Sequence, residues 1–176
     1  MPEVWRSRHL LPGARTAIVV ASGGRSLWDA FSHSPEFGTS PDPLDAYTRR
    51  VTEVAASCLE QAGKATRVLL AFEQRGGVYA DFVALGHLAG LGAPSRLGLL
   101  LHQVYGPWLS LRAIVLTRAR WEHAAEQGAF DPCRGCPAPC AAARPGAAAR
   151  RACVIGPEHA YSEAALAHHL RHLRLP

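Results

Sequence analysis

The chain has 176 residues, 48% of them hydrophobic and 19% charged, which suits one globular domain and excludes a disordered chain. No apolar run approaches the roughly 18–20 residues that span a bilayer, and the N-terminus "MPEVWRSRHLLPGART" has no signal-peptide core, so a cytoplasmic protein is expected. The net charge of +5 admits an anionic partner, but the nineteen basic residues are spread along the chain, with Lys64 the sole lysine. That is an arginine bias rather than a nucleic-acid footprint, and neither a nucleic-acid nor a membrane partner is expected.

The first element expected is a buried strand, "TAIVVAS" (16–22), which runs into Gly23-Gly24. A short helix "SLWDAF" follows. "TSPDPLDAY" then carries helix-start chemistry, with Asp42 as N-cap, Pro43 at the first helical position and Asp45 in the first turn. Leu44, Tyr47, Val51, Val54 and Cys58 continue it at helical spacing as an apolar face, and Gly63 ends a helix spanning about 43–61. "TRVLLAFE" (66–73) is a second buried strand. "VYADFVALGHLAGLG" (78–92) is expected to be a helix weakened by Gly86 and Gly90. "SRLGLLLHQ" and "WLSLRAIVLT" are expected to pair as two strands across the turn "VYGP". Residues 121–152 are rich in Ala, Pro, Arg and Cys without hydrophobic period, as a functional loop would be. "YSEAALAHHLRHL" closes as a helix capped by Ser162. This order predicts an α/β or α+β layered sheet in a single domain: a core (1–121), a Cys-rich loop (122–153) and a C-terminal helix (154–176). No dinucleotide or P-loop fingerprint is present.

The chemical signal is a cysteine cluster. Five cysteines in a cytoplasmic chain point to metal, redox chemistry or burial rather than disulfides. Cys58, alone in "VTEVAASCLEQAG", reads as a small core residue. Cys133, Cys136 and Cys140 form C-x2-C-x3-C in "DPCRGCPAPCAAARP", where the next three-residue interval lands on Arg144 before Pro145. Bacterial ferredoxin runs close there with Cys-Pro. Arg144 is always protonated and cannot ligate iron. Cys153 is near enough along the chain to serve as the fourth ligand, and His159 or His123 could supply nitrogen. An iron–sulfur cluster, a zinc site and a metal-free loop all remain open.

Elsewhere His102 ends an apolar strand, Tyr105 and Trp108 flank a turn, and Arg112 interrupts the run "LSLRAIVL". That guanidinium either snorkels out at an edge or faces an anionic group in a pocket. His169 and His172 share a helical face, with His168 about 100° away, as on an exposed polar helix. Glu73, Asp81 and Glu158 are the acids placed to donate protons.

"LLLHQVYGPWLSLRAIVL" resembles the His-x-x-(Tyr/Phe)-Gly-x-Trp-(Leu/Phe) segment shared by epoxyqueuosine reductases and MMACHC-type vitamin B12-processing proteins. Two collinear stretches are similar to the same group: "RTAIVVASGGRSLWDAF…DPLDAYTRRVTEVA" and the helix start "HAYSEAALAHHL". The resemblance implies a nitroreductase-like sandwich that binds cobalamin or a related corrinoid, with His102, Tyr105, Gly106, Trp108 and Arg112 on the corrinoid side. It also implies an iron–sulfur module after the core, here altered at Arg144. A corrinoid-binding or corrinoid-processing protein is therefore expected, fed by an external reductant protein and possible as a homodimer. The competing expectations are a ferredoxin-like electron carrier on the same fold and a zinc-stabilised module with an acidic partner.

Overall fold

The computed structural model describes residues 2–39, 41–121 and 130–172. A 3-10 turn (Glu3–Trp5) and α1 (Ser7–Leu10) precede β1 (Thr16–Gly23), α2 (Ser26–Ser32) and α3 (Pro43–Gln61). Then come β2 (Thr66–Leu70), β3 (Gln74–Arg75), β4 (Val78–Tyr79), α4 (Phe82–Leu88), β5 (Ala93–Pro94), β6 (Leu100–Leu101) and β7 (Leu109–Thr117). The Cys-rich region holds α5 (Pro139–Ala142) and α6 (Ala147–Arg151), and a 3-10 turn (Pro157–His159) leads to α7 (Glu163–His172). Among the described residues no helix is long and apolar enough to cross a membrane.

The fold is mixed α+β, built on an antiparallel sheet in the order β1-β7-β2. β7 is the central strand, and its second half is buried on both faces: Ala113, Ile114, Val115, Leu116 and Thr117 are all buried. On one face Ile114, Leu116 and Leu69 pack against Trp5, Leu11 and Phe82. Trp5 is 2% exposed, and its Nε1 donates to the Val78 carbonyl oxygen at 2.9 Å. Losing such a ring costs about 3–5 kcal/mol. α3 covers the other face, lying across β2 and β7.

The helix α3 has the predicted bounds but presents a different face. Its buried positions are Pro43, Thr48, Thr52 and Ala56, whereas Val51, Val54 and Cys58 are exposed. The expectation that Cys58 is a core residue is therefore corrected. Thr48 and Thr52 donate their hydroxyls to the carbonyl oxygens of Leu44 (2.8 Å) and Thr48 (2.7 Å), so each polar group is satisfied inside the helix. The small methyl side then lies against the sheet.

Two other expectations are corrected. Residues 78–92 are not one helix: Gly76 and Gly77, both at positive φ, turn a β3–β4 hairpin, and α4 begins only after Asp81 caps Ala84. α4 ends in a Schellman motif, with Leu91 N–H donating to Gly86 C=O and Gly90 N–H to His87 C=O. Gly86 is a packing requirement rather than a weakness, since a Cβ there would lie 2.8 Å from Leu100 Cδ2. The runs around "VYGP" do not form one hairpin either. β6 pairs with β5, and the turn is closed only by an isolated bridge between His102 and Gly106.

Candidate cluster pocket and the adjoining histidine–tyrosine corner

Cys133, Cys136, Cys140 and Cys153 line one small pocket of about 20 Å³, together with Leu101 and Ile155. The loop reaches this shape through two left-handed residues, Gly135 (φ +70) and Ala138 (φ +53). Ala138 stands between two prolines, and a residue before proline is normally extended. An alanine in that conformation costs about 1–2 kcal/mol. Its N–H lies 3.4 Å from Cys136 Sγ, as an N–H donor to a thiolate would. The strain thus sits where it supplies a hydrogen bond to sulfur.

Cys153 closes the set from the far side of α6. Burial pushes its thiol up, the backbone N–H at Ile155 pulls it down, and Cys140, Cys133 and Cys136 push it up further. Among the described residues no set of three or more His, Cys, Asp or Glu side chains is placed to hold a metal ion. Tetrahedral zinc at a Zn–S distance of about 2.3 Å would need sulfurs about 3.8 Å apart. Arg144 is exposed on the segment between α5 and α6 and is not part of the lining.

Leu101 and Ile155 carry the pocket into a second feature. Directly after Leu101, His102 Nδ1 accepts hydrogen bonds from the N–H groups of Val104 (3.0 Å) and Tyr105 (3.2 Å). The neutral ring therefore carries its proton on Nε2. Tyr105 packs between His102 (ring centroids 5.1 Å) and His159 (4.8 Å). It lies so close over Gly23 that a Cβ there would be 2.5 Å from the ring. Gly106 (φ +53) and Gly156 (φ +64) let the two chain segments cross, because a Cβ on Gly106 would sit 2.0 Å from the Ile155 carbonyl oxygen.

Burial first, then the nearby His159, hold His102 below its ordinary value near 6.5. The unfolded chain then binds more protons than the folded one as pH falls through that ordinary value, so stability drops on acidification below about 6.5. His102→Gln should flatten that slope in urea titrations at successive pH values. An unchanged slope would assign it to another group.

Of the residues expected on the corrinoid side, His102, Tyr105 and Gly106 meet at this corner. Trp108 does not line it: the ring is 1% exposed and packs edge-on against Tyr161 at 5.2 Å, shaping the corner from beneath. Arg112 lies elsewhere, in a recess with residues of α3 and α7. His159 belongs to the corner and not to the cysteine pocket, and His123 lies outside the described residues. The picture of α7 as an exposed polar helix is also corrected. His168 is 5% exposed, among Trp28, Phe31 and Phe37. The side chain of His172 lies outside the described residues. Of the nominated acids, Asp81 is a helix cap, Glu73 pairs with Arg49 at 3.4 Å, and Glu158 is exposed beside His159.

The crossing of Gly106 over Gly156 and the seat of Tyr105 on Gly23 were not predicted from sequence. Isolated glycines in loops give no signal of what they approach. No protein-family model matches the chain, and no curated protein matches it.

Proposed function

We propose that the chain is an iron–sulfur protein that passes single electrons to a corrinoid, cobalamin or a relative, seated beside His102, Tyr105 and His159. The observation that carries the reading is the convergence of four cysteines on one pocket whose walls, Leu101 and Ile155, lead directly into that corner. An iron–sulfur cluster bound there supplies one-electron transfer, and the corrinoid supplies a redox-active cobalt. Its electrons come from outside, from a low-potential flavin or iron–sulfur protein.

The chain's own residues perform the rest. Cys133, Cys136, Cys140 and Cys153 would hold such a cluster as thiolates, and the Ala138 N–H donates to the Cys136 sulfur. His102 acts as a hydrogen-bond donor rather than a cobalt ligand, since its Nδ1 lone pair is taken by two backbone N–H groups and Nε2 carries the proton. That role matches a corrin's rim amides. Tyr105 offers an aromatic edge between two histidines.

Protein purified without oxygen should be brown, with about four irons and four sulfides per chain. Added cob(II)alamin should move to its base-off spectrum. His102→Ala should weaken that change more than Cys136→Ser does. A colourless protein with one zinc per chain would sink the cluster, and an unaltered cobalamin spectrum well above micromolar concentration would sink the corrinoid.

A further inference from the structure

The cysteine pocket is walled by two chain segments, 95–101 and 132–155, and neither contains an Asp or a Glu. Together they carry five arginines: Arg96, Arg134, Arg144, Arg150 and Arg151. Arg151 pairs with Glu163 at 2.5 Å. Arg150 is half-buried and faces the charge of Arg112. The other three are exposed, and among the described residues none of them forms an ion pair. Arg96 lines the pocket itself, and Arg134 stands between Cys133 and Cys136 in the chain. Arg144 follows α5, whose second residue is Cys140. The nearest acids, Asp131 and Glu158, lie outside the two segments.

Apolar surface is set among these charges. Val154, next to Cys153, lines the pocket and is still 61% exposed. Pro139, beside Cys140, also lines it and is exposed. An apolar centre that loses water on contact, with a charged rim that steers the encounter, is the make-up of a protein-contact patch. The sign of the rim selects the partner, because arginines without counter-charges attract an acidic surface. A free anion would leave Val154 in water, whereas a protein covers both kinds of surface.

We propose that this rim is the docking surface of the external reductant, a small one-electron carrier protein with an acidic face. The proposal rests on the cluster reading above, which makes the cysteine pocket the place where electrons enter. In the encounter one electron passes from the reduced donor to the oxidised cluster. The donor is oxidised, the cluster is reduced, and no bond forms or breaks. Contacts of this kind are small and transient, so charge steering sets their rate.

The test uses the full chain purified without oxygen, with iron measured first and rates taken per loaded cluster. Bleaching of the cluster is followed by stopped flow after mixing with a reduced acidic [2Fe–2S] ferredoxin. A second series uses reduced methyl viologen, which needs no docking surface. At about 20 mM salt, the combined variant Arg96→Gln, Arg134→Gln, Arg144→Gln should react with ferredoxin at least about tenfold more slowly than the parent. The gap should shrink to about twofold near 1 M salt, where the Debye length is about 3 Å. Viologen should reduce parent and variant at the same rate. Arg6→Gln, Lys64→Gln, Arg67→Gln, which removes the same charge outside the pocket wall, should slow ferredoxin by no more than about twofold. A parent without iron overturns the cluster reading and this proposal with it. A loaded parent that ferredoxin reduces no faster than the combined variant overturns the docking surface alone. So does a combined variant that slows viologen equally, or one that turns a dimer into a monomer in sedimentation, since a second copy of the chain then covers the rim.

Discussion

Cys153→Ser protein purified without oxygen should be colourless or nearly so, its iron falling from about four per chain to below one. The expectation rests on position. Cys153 lines the pocket that holds Cys133, Cys136 and Cys140, and the burial and sulfur neighbours that push its thiol up mark it as part of the same electrostatic unit. A serine hydroxyl at that position is a hard, poorly ionised ligand where a soft thiolate is wanted. Arg144→Ala should keep full iron, because Arg144 is exposed and outside the lining. Cys58→Ser should keep it too, since Cys58 is exposed on α3. Iron and sulfide analysis with the visible spectrum checks all three. Full iron in Cys153→Ser would place the fourth ligand elsewhere and break the pocket's claim to be the cluster site.

Gly106→Ala should lower the melting temperature by about 6–12 °C, corresponding to roughly 3 kcal/mol in a chain of this size. Two costs add. The residue sits at φ +53, where a side chain is strained by about 1 kcal/mol, and its Cβ would lie 2.0 Å from the Ile155 carbonyl oxygen, which is backbone and must move. Ile155 lies two residues from Cys153, so the displacement reaches the cysteine pocket and iron content should fall with stability. Gly98→Ala provides the comparison. Its φ is +69 with nothing within 4 Å of the added Cβ, so only backbone strain applies, and a loss of about 2–4 °C with full iron is expected. Equal losses in the two variants would mean that the crossing of Gly106 over Gly156 is not tight in solution.

The corner and the pocket were legible in the sequence to different degrees. The C-x2-C-x3-C run is local, so three of the four pocket cysteines could be read from spacing, and the departure at Arg144 was visible because a guanidinium cannot ligate iron. That Cys153, and not His159, lines the pocket with the other three cysteines could not be read from sequence. It depends on how α6 returns the chain, and that return is fixed by packing. Arg112 was visible as a charge within an apolar run, but whether it reached solvent or a recess turned on a shift in the β1–β7 register that leaves no mark in the pattern. His168 was misread because two neighbouring histidines on a helix look polar until the aromatic residues of α2 and its following loop are brought against one of them.

The sequence by itself determined the first strand to within one residue (16–22 expected, Thr16–Gly23 found), the start and length of α3, the Ser162 cap of α7 and the mixed α+β class. Each follows from interactions within a few residues: caps, glycine stops and hydrophobic period. Tertiary structure alone decided that β7 is central, that α3 buries its threonines instead of its valines, that β6 turns away to β5, and that four cysteines share a pocket. Those outcomes come from contacts between distant segments, where close backbone approach at Gly106, Gly156 and Gly23 selects one arrangement that no local pattern encodes.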